Sequence, residues 1–449
     1  MNSFDTICAI STSLGESAIN IIRLSGKDAI DISMKVLTGV DLTKKKGNTI
    51  SYAKVIENGE IVDEVLVSLF RGPKSYTKED IVEINTHGGQ YVTERVLELL
   101  LLNGARLAEP GEFTKRAFLN GRIDLSKAEA VMDMIEAQTK ASLSLASKGL
   151  KGDVYKEISA LRKDIEDILL HIEVNIDYPE YTDELQVTKS LLIEKVTSLI
   201  NTINNIILKA ENLRVYKEGI KTIIIGKPNV GKSSLLNNLL KENKAIVTSY
   251  KGTTRDIVEG NINIGGIILH LIDTAGVRDT LDPVEKIGID KTIEVLKDAE
   301  LVLLLLDYES GIEKEDLALL DLTKDKNRII IANKSDTINK KLNENEYLSI
   351  SALKGDGIEA LEKEIHKRFI NDEANDSIKT NISSSRHISL LKLCEKSLSS
   401  ALINAQNGDF IDMISIDLKD AYDSLGLITG ESASDSLINE LFSKFCLGK

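Results

Sequence analysis

Residues 226–233, with the sequence GKPNVGKS, constrain this chain more than any other stretch. An apolar run, 222–225, precedes them and a helix-forming segment, 234–240, follows. This spacing is typical of a phosphate-binding loop, in which backbone N–H groups converge on the phosphates, Lys232 reaches the β- and γ-phosphates and Ser233 binds Mg²⁺. A glycine turn between a strand and a helix is the alternative, and further motifs downstream argue against it.

Two of those motifs predict how the nucleotide is sensed. Residues 251–256 form a loop rich in Gly and Thr, and a threonine there can complete the Mg²⁺ shell and respond to the γ-phosphate. The apolar run 269–272 then leads into 273–276, DTAG. Its Asp273 is expected to act as the Walker B carboxylate, and the Gly276 amide to meet the γ-phosphate. These features predict a switchable nucleotide domain.

The third motif predicts which base is bound. The buried-type run 328–331 leads into 333–336, NKSD. Asp336 can accept hydrogen bonds from guanine N1–H and the exocyclic amine, which adenine does not present together, and the Lys334 stem can pack along the ring. Residues 351–353, SAL, are expected to close over the base edge. The sequence therefore predicts a guanine-nucleotide site.

The residues expected to catalyse hydrolysis depart from the pattern of Ras-like enzymes. Val277 follows the DTAG motif, where Ras-like enzymes have a water-positioning glutamine, and an aliphatic side chain cannot orient water. Hydrolysis must recruit another group, and carboxylates follow at Asp279, Asp282 and Glu285. Asn229 in the phosphate loop, with switch-loop carbonyls, can bind a monovalent cation near the β–γ bridge. A local turn hydrogen bond is the equally weighted alternative for Asn229.

The rest of the chain indicates a multidomain fold. At 449 residues it is long enough for about three domains. Mixed strand and helix patterns in 1–118 predict an α+β domain, and one-faced apolar stripes in 119–214 and 377–449 predict two parts of one discontinuous helical bundle. Alternating strands and helices in 215–376 predict an inserted α/β P-loop domain of the Ras-like type. A capping box at Ser126 and Glu129 is expected to begin a bundle helix.

Composition restricts the function classes. A net charge of -14 argues against a protein that coats nucleic acid through its own basic surface, so an RNA partner needs a local patch or a second subunit. The N-terminus lacks the pattern of a signal peptide, and no apolar run approaches the roughly 20 residues of a membrane span. Three scattered cysteines are too few for a disulfide framework. We therefore expect a cytoplasmic protein without a membrane segment.

Three polar residues leave alternatives open. Arg23 and Glu83 interrupt apolar strand-like runs, and a charged residue there lies either on a solvated face or in a pocket. Alternation alone favours the solvated face. Cys446, close to the chain end, is by its position more often incidental than a functional thiol.

Taken together, the motifs carry a resemblance over the whole chain. Residues 110–121 read PGEFTKRAFLNG, the nucleotide motifs follow, and residues 445–449 read FCLGK. The chain resembles the MnmE (TrmE) family of tRNA modification GTPases, whose members usually carry isoleucine where Leu447 stands. The resemblance implies a folate-binding-like first domain and modification of carbon five of the tRNA wobble uridine to an aminomethyl or carboxymethylaminomethyl form. It also implies an FAD-dependent partner, MnmG (GidA), and a one-carbon unit from 5-formyl- or methylene-tetrahydrofolate.

The resemblance also assigns roles to individual residues. Arg23, Glu83, Arg122 and Lys449 match folate contacts, with Arg122 standing where many members have lysine. Cys446 matches a cysteine needed for modification, and Glu285 matches the carboxylate that orients water through a bridging molecule. The K⁺ ligands would be Asn229, Thr248, Tyr250 through its carbonyl, and Thr253, and the Mg²⁺ ligands Ser233 and Thr254. The expected GTP-binding residues are Asn229, Val230, Gly231, Lys232, Ser233, Ser234, Thr248, Ser249, Tyr250, Lys251, Gly252, Thr253, Thr254, Asp273, Thr274, Ala275, Gly276, Asn333, Lys334, Asp336, Ser351, Ala352 and Leu353.

The expected assembly follows from the same resemblance. It is a homodimer through the first domains that forms a heterotetramer with MnmG and acts on tRNA, with GTPase domains meeting when GTP and K⁺ are bound. Two other functions fit part of the sequence. A ribosome-assembly GTPase of the Era or Der type shares the nucleotide motifs but lacks the first domain and Cys446. A folate-sensing GTP switch that only recruits partners is the non-enzymatic alternative.

Overall fold

The structure is a computed structural model that describes residues 5–13, 15, 17–177, 189–239, 245–246, 258–272, 296–337, 342, 346–370 and 380–448. The chain forms two compact units. Unit 1 comprises residues 1–132, 150–162 and 422–449, and unit 2 comprises residues 133–149 and 163–421. The predicted division at residues 118, 214 and 376 stays a prediction.

Unit 1 is built on a mostly antiparallel sheet whose described strands run in the order β3-β4-β5-β6-β2-β1-β7. Alternating apolar and polar residues give each long strand one buried face, as the pleat requires. The short strand β7 pairs in parallel with β1. The strands are β1 (Ile7–Ile10), β2 (Ile19–Ser25), β3 (Leu37–Thr38), β4 (Thr49–Glu57), β5 (Glu60–Phe70), β6 (Ile81–His87) and β7 (Arg106–Leu107).

Two helices cover one face of this sheet. Helices α1 (Ala29–Val36) and α2 (Gln90–Leu102) bury their apolar stripes in one core with the inward residues of the strands. Helix α3 (Glu112–Leu119) packs Phe113 against Ile7 and Ala9 of β1, and helix α13 (Asp435–Ser443) contacts α3. The predicted α+β fold of the first segment is thus confirmed.

A buried ion network fixes the 110–121 motif to the sheet. The Arg116 guanidinium donates to Asp5 at 2.7 Å, to Glu112 at 3.0 Å and to Glu79 at 3.2 Å, and Arg106 donates to Glu112 at 2.6 Å. Burial alone would raise the pKa of Glu112, but hydrogen bonds from Arg106 and Arg116 outweigh it and lower the pKa. Glu112 therefore stays ionised, and Arg116 has a structural role.

The start of helix α4 (Leu125–Glu136) corrects one expectation. The sequence placed the N-cap at Ser126, but the Asp124 carboxylate accepts from the Lys127 backbone N–H at 3.0 Å and also from the Ser126 hydroxyl. The helix consequently begins at Leu125, and Ser126 is buried within its first turn. Asp and Ser are comparable caps, and Leu125, which is 1% exposed, favours the earlier start because it packs in the core with Phe442.

Unit 2 contains the P-loop domain, whose described strands run in the order β14-β13-β12-β8-β11-β10-β9. The central strands are parallel, and β10 and β9 are antiparallel additions at one edge. Apolar cores lie on both faces, and every residue of β12 is buried, as in a doubly wound sheet. The elements are β8 (Ile220–Ile225), α8 (Lys232–Leu239), β9 (Ala245–Ile246), β10 (Val258–Ile264), β11 (Ile267–Ile272), β12 (Leu301–Asp307), α9 (Lys314–Leu322), β13 (Arg328–Asn333), β14 (Leu348–Ser349) and α10 (Ile358–Phe369).

Long helices complete the fold. Helix α11 (Ser385–Asn407) packs along α7 (Lys189–Glu218), so the late helices return to the early ones as the sequence predicted. By length and composition alone, residues 190–218 reach the limit for crossing a membrane. Their apolar stripe is buried, as expected for a core helix, so α7 is weak evidence for a membrane span. The remaining helices are α5 (Lys140–Leu150), α6 (Asp153–Asp177) and α12 (Ile411–Thr429), with a 3₁₀ turn at Leu42–Lys44.

Candidate functional site

The phosphate-binding loop lies between β8 and α8, as predicted. The Lys232 ammonium donates to the carbonyl oxygens of Gly226 at 2.8 Å and Lys227 at 2.9 Å, which holds it over the loop. Ser233 lies in the first turn of α8 with its side chain exposed. Asn229 has φ +62° and is exposed, a backbone conformation that asparagine tolerates better than most residues. Backbone N–H groups and a helix N-terminus thus converge where phosphates bind in such loops.

The Asn333 side chain joins this loop to the base-recognition segments. Its amide nitrogen donates to the Val230 carbonyl at 2.8 Å, and its oxygen accepts from the Ala352 N–H at 2.9 Å. A Cβ on Gly231, where φ is +102°, would lie 2.2 Å from the Asn333 amide nitrogen. Only glycine allows this approach. Asn333 is 2% exposed, so it is a buried bridge between two loops.

The other base-recognition residues are paired within the protein. The exposed Asp336 carboxylate accepts from the Ser351 hydroxyl at 2.8 Å, and this hydrogen bond lowers the pKa of Asp336. The Lys334 ammonium donates to Asp307 at 2.7 Å. Burial alone would raise the pKa of Asp307, but the hydrogen bond from Lys334 outweighs it and lowers the pKa. Both carboxylates are therefore ionised at neutral pH, and Asp336 is ready to accept from a base.

Sequence reasoning missed the anchor beneath the phosphate loop. Lys227 is 8% exposed, and its ammonium donates to the Ser310 hydroxyl at 2.6 Å and to Glu313 at 2.8 Å. It also lies 3.3 Å from Asp316, which is fully buried. Burial alone would lower the pKa of Lys227, but its hydrogen bonds to Glu313 and Asp316 outweigh burial and raise it. The signal in the sequence was a lysine inside the loop motif, but its partners lie over 80 residues away.

The structure describes only part of the predicted GTP site. It brings residues 229–234 together with Asn333, Ala352 and the Asp336–Ser351 pair. Leu353 follows Ala352 and is 79% exposed. The rest of the predicted GTP-binding set lies outside the described residues: Thr248, Ser249, Tyr250, Lys251, Gly252, Thr253, Thr254, Asp273, Thr274, Ala275 and Gly276. The predicted catalytic residue Glu285 and the predicted folate contact Lys449 also lie outside them.

Unit 1 holds a second cluster, around Arg23 and Glu83. Arg23 Nε donates to Glu83 at 2.8 Å, and both side chains are about four-fifths buried, at 20% and 18% exposed. The Arg23 guanidinium carbon lies 5.7 Å from the ring centre of Tyr76 and 5.6 Å from that of Phe113. The guanidinium carbon of Arg122 lies 4.7 Å from the same Tyr76 ring centre. Cations, a carboxylate and aromatic faces therefore meet in one place, and the expectation of a solvated face for Arg23 and Glu83 is wrong.

The sheet beside this cluster has an uncovered apolar surface. Register pairing sets Ile50, Ser68, Glu83, Arg23 and Ala9 in one row across five strands, and paired residues share a face. Ile50 in this row is 69% exposed. Tyr52 and Leu66 form the next pair and are 56% and 46% exposed. We call Ile50, Tyr52 and Leu66 the open apolar patch.

The C-terminal motif is bound to residues of the first segment. The Gly111 N–H donates to the Cys446 carbonyl at 3.2 Å, and the Ser11 hydroxyl donates to the Gly448 carbonyl at 3.2 Å. The Phe445 ring packs against Phe442 with ring centres 5.0 Å apart. The two motifs specific to the resemblance, 110–121 and 445–449, thus contact each other within unit 1.

The three cysteines differ in accessibility. Cys8 and Cys394 are fully buried, and burial raises the pKa of each thiol to about 12. Such thiols stay protonated and unreactive at neutral pH. Cys446 is exposed. Cys446 is therefore the cysteine that a substrate or reagent can reach.

Known relatives match this chain over nearly its full length. A family model described as "MnmE helical domain" matches residues 125–446, and one described as "GTP-binding protein TrmE N-terminus" matches residues 6–122. A tRNA modification GTPase MnmE from Lactococcus lactis subsp. lactis (strain IL1403) is 49% identical over 449 residues, covering 99% of both chains. One from Bacillus cytotoxicus is 46% identical over 456 residues, covering 99% of this chain and 100% of its own. A solved structure of Aquifex aeolicus Era bound to GDP and aluminium fluoride is 27% identical, covering 40% of this chain and 66% of that chain, with a TM-score of 0.27.

The Lys227 anchor yields a prediction. Lys227→Met leaves buried Asp316 without its cation and frees the loop whose carbonyl holds Lys232, so we expect GDP affinity to fall at least about 10-fold, or about 1.4 kcal/mol. Lys227→Arg, which keeps the charge, should retain most of the affinity. Isothermal titration with GDP measures both, with Lys221→Met, an exposed lysine of β8, as the control. Unchanged affinity in the methionine variant would make Lys227 irrelevant to binding.

Proposed function

Because the chain belongs to the MnmE family of tRNA modification GTPases, we propose that it hydrolyses GTP in a K⁺-dependent manner to support folate-dependent modification of the tRNA wobble uridine. GTP hydrolysis and a role in tRNA modification come with family membership. The observation that carries the finer proposal is in unit 1, where the exposed Cys446 lies in a C-terminal segment and its own carbonyl is hydrogen-bonded to Gly111 of the 110–121 motif. The same unit holds the Arg23–Glu83 cluster.

Hydrolysis in this proposal depends on cations at the phosphate loop. Asn229 is exposed on a loop of converging N–H groups, which suits an oxygen ligand for K⁺, and the exposed Ser233 hydroxyl suits Mg²⁺. Thr248, the Tyr250 carbonyl and Thr253 would complete the K⁺ site, and Thr254 the Mg²⁺ site. These cations would neutralise negative charge that develops on the phosphates. Glu285 would orient the attacking water in place of the missing glutamine.

A reduced folate fits the chemistry of the Arg23 cluster. The pyrimidinone ring of a reduced pterin is flat and carries N–H donors, so it can stack on the partly exposed Tyr76 ring and donate to Glu83. The glutamate tail of the folate is anionic and suits Arg122, which is exposed and already lies over Tyr76. Lys449 would add a further cation. The chain's own residues would thus bind and orient the one-carbon donor.

Homodimerisation is supported by the open apolar patch. Ile50, Tyr52 and Leu66 are exposed side by side on a sheet face, and contiguous exposed apolar surface marks interaction sites. The row through Ile50 continues to Glu83 and Arg23. A second copy that covers the patch would therefore lie next to the folate cluster. We propose that the patch is the surface through which the first segments of two copies dimerise.

The remaining chemistry belongs to a partner. The reaction needs redox steps, and FAD would supply them when bound to MnmG (GidA) in a heterotetramer with this chain. The tRNA is the substrate of the assembly. The Cys446 thiol would act in modification, as its match to the cysteine of the family motif implies, and its exposure leaves it accessible to a substrate.

We expect wobble-uridine modification to depend on this gene and on Cys446. Nucleosides from total tRNA would be compared by mass spectrometry in cells lacking the gene and in cells complemented with wild type, Cys446→Ser or the control Cys394→Ser. The aminomethyl-type uridines should vanish without the gene and return with wild type and the control, but not with Cys446→Ser. Persistence of these nucleosides without the gene would move the protein to another pathway, with ribosome assembly the next to examine.

We expect K⁺ to accelerate GTP hydrolysis at least about 10-fold over Na⁺ at equal ionic strength, because a cation held beside the phosphates stabilises the transition state. Asn229→Ala should remove the difference between the two salts. Asn237→Ala, an exposed asparagine of α8, should preserve it. Steady-state phosphate release measures all three proteins, and equal rates of the wild type in both salts would eliminate the K⁺ site.

The dimer proposal has a separate test. Ile50→Lys combined with Leu66→Lys places two charges in the open apolar patch, and we expect the protein to sediment as a monomer because charges in a desolvated interface are unfavourable. Tyr91→Lys, at an exposed tyrosine of α2, should leave the assembly unchanged. Analytical ultracentrifugation of the full chain distinguishes the two states. A dimer that survives the double substitution would place the interface elsewhere.

A further inference from the structure

Polar contacts through His270 and Glu218 link the β10–β11 hairpin to helices outside the sheet. His270 of β11 donates through Nε2 to the Glu218 carbonyl at 2.8 Å, and its Nδ1 lies 2.9 Å from the side-chain oxygen of Asn261 on β10. The Asn261 amide nitrogen donates to Gln138 at 3.1 Å. The Ser385 backbone N–H and hydroxyl donate to the Glu218 carboxylate at 2.7 and 2.5 Å. All five residues belong to unit 2.

The contact between His270 and the end of α7 is tight. Gly219, directly after Glu218, has φ +72°, and a Cβ there would lie 2.6 Å from His270 Nε2. The residue after α7 is therefore a glycine that lets the imidazole reach the last carbonyl of the helix. Ser385 is the first residue of α11, and its backbone N–H, which has no partner within the helix, donates to the Glu218 carboxylate. One residue, Glu218, thus joins the hairpin to two helices.

The β10–β11 hairpin lies next in sequence to the segments predicted to respond to the nucleotide. Strand β10 begins at Val258, just after the predicted switch loop 251–256, and β11 ends at Ile272, just before Asp273. Both strands therefore continue into the segments expected to respond to the γ-phosphate. His270 lies two residues before the end of β11. Any shift of β11 with nucleotide state acts directly on the His270–Glu218 hydrogen bond.

We infer that His270 is a positioning residue that transmits nucleotide-dependent movement of the β10–β11 hairpin to the start of helix α11. The transmission requires different hydrogen-bond geometry in the GTP and GDP states, because a ligand shifts only an equilibrium between states it binds differently. His270 contacts Asn261 and the last carbonyl of α7, and it does not belong to the predicted GTP-binding set. The inference rests on the GTPase function and is independent of the folate, K⁺ and dimer proposals.

Hydrogen exchange of the full chain tests this inference. Amide exchange of residues 385–392 would be compared with GDP and with a non-hydrolysable GTP analogue, in wild type and in His270→Ala. We expect the wild-type rates to differ between nucleotides by about 5-fold, the factor that one hydrogen bond contributes to a local opening equilibrium. In His270→Ala this difference should disappear, while hydrolysis of GTP continues.

The chain offers a matched control. His366 of α10 also contacts this hairpin, with Nε2 3.1 Å from the Gly265 carbonyl at the turn. Its ring lies 6.2 Å from that of Tyr216 on α7, so it touches the same helix, but its hydrogen bond is to the hairpin turn and not to Glu218. His366→Ala should retain the nucleotide-dependent difference at residues 385–392. A loss of the difference in both histidine variants would mean that the whole hairpin has loosened, and would overturn the specific role of His270.

A second variant keeps the inference testable if His270→Ala does not fold. Glu218→Ala keeps the backbone carbonyl that His270 contacts and removes the carboxylate that binds Ser385. It therefore removes the contact between Glu218 and helix α11 while leaving the His270 contact in place. It should also abolish the difference at residues 385–392. An unchanged difference in this variant, or no difference in the wild type, overturns the inference. A loss of GTP hydrolysis in His270→Ala would instead assign His270 to the nucleotide site and would also overturn it.

Discussion

The predicted nucleotide site depends on one buried side chain, that of Asn333. Its single amide satisfies a carbonyl of the phosphate loop and an N–H of the 351–353 loop, two backbone groups that would otherwise be buried without partners. The strand that carries Asn333 pairs with β12, whose last residue, Asp307, binds Lys334. The phosphate loop and the base-recognition residues are consequently fixed relative to each other by the sheet, and Gly231 has no side chain because Asn333 occupies that space.

Local signals predicted the parts of the fold that depend on local chemistry. The strand, glycine loop and helix around residues 226–233 were predictable because glycine positions and apolar runs specify them directly. Contacts between residues far apart in the sequence could not be predicted in this way. The partners of Lys227 lie 83 to 89 residues further along the chain, so its burial has no local sequence signal. Alternation predicts a solvated face for Arg23 because it describes the strand alone and not the Phe113 ring of α3, whose centre lies 5.6 Å from the Arg23 guanidinium carbon.

Cysteine chemistry in this chain is divided by burial. Cys8 and Cys394 serve as small apolar residues in two cores, with thiols that remain protonated. Cys446 is exposed, and its backbone is fixed by Gly111, which lies between the segment 106–109 and helix α3. A mobile terminus would present a thiol in many positions, whereas a bound one presents it in few. The hydrogen bond between Gly111 and Cys446 therefore turns a cysteine whose position is usually incidental into a positioned one.

Charge limits how this chain can engage tRNA. Protein–RNA affinity comes largely from lysine and arginine at phosphates, yet the net charge here is -14. Several arginines are also committed to carboxylates inside the fold, among them Arg23, Arg106, Arg116 and Arg214. An arginine that leaves such a pair exposes an uncompensated carboxylate, so these cations are costly to redirect to RNA. The electrostatics thus favour tRNA binding through a local basic patch or through a second subunit, because these arginines are already held by carboxylates.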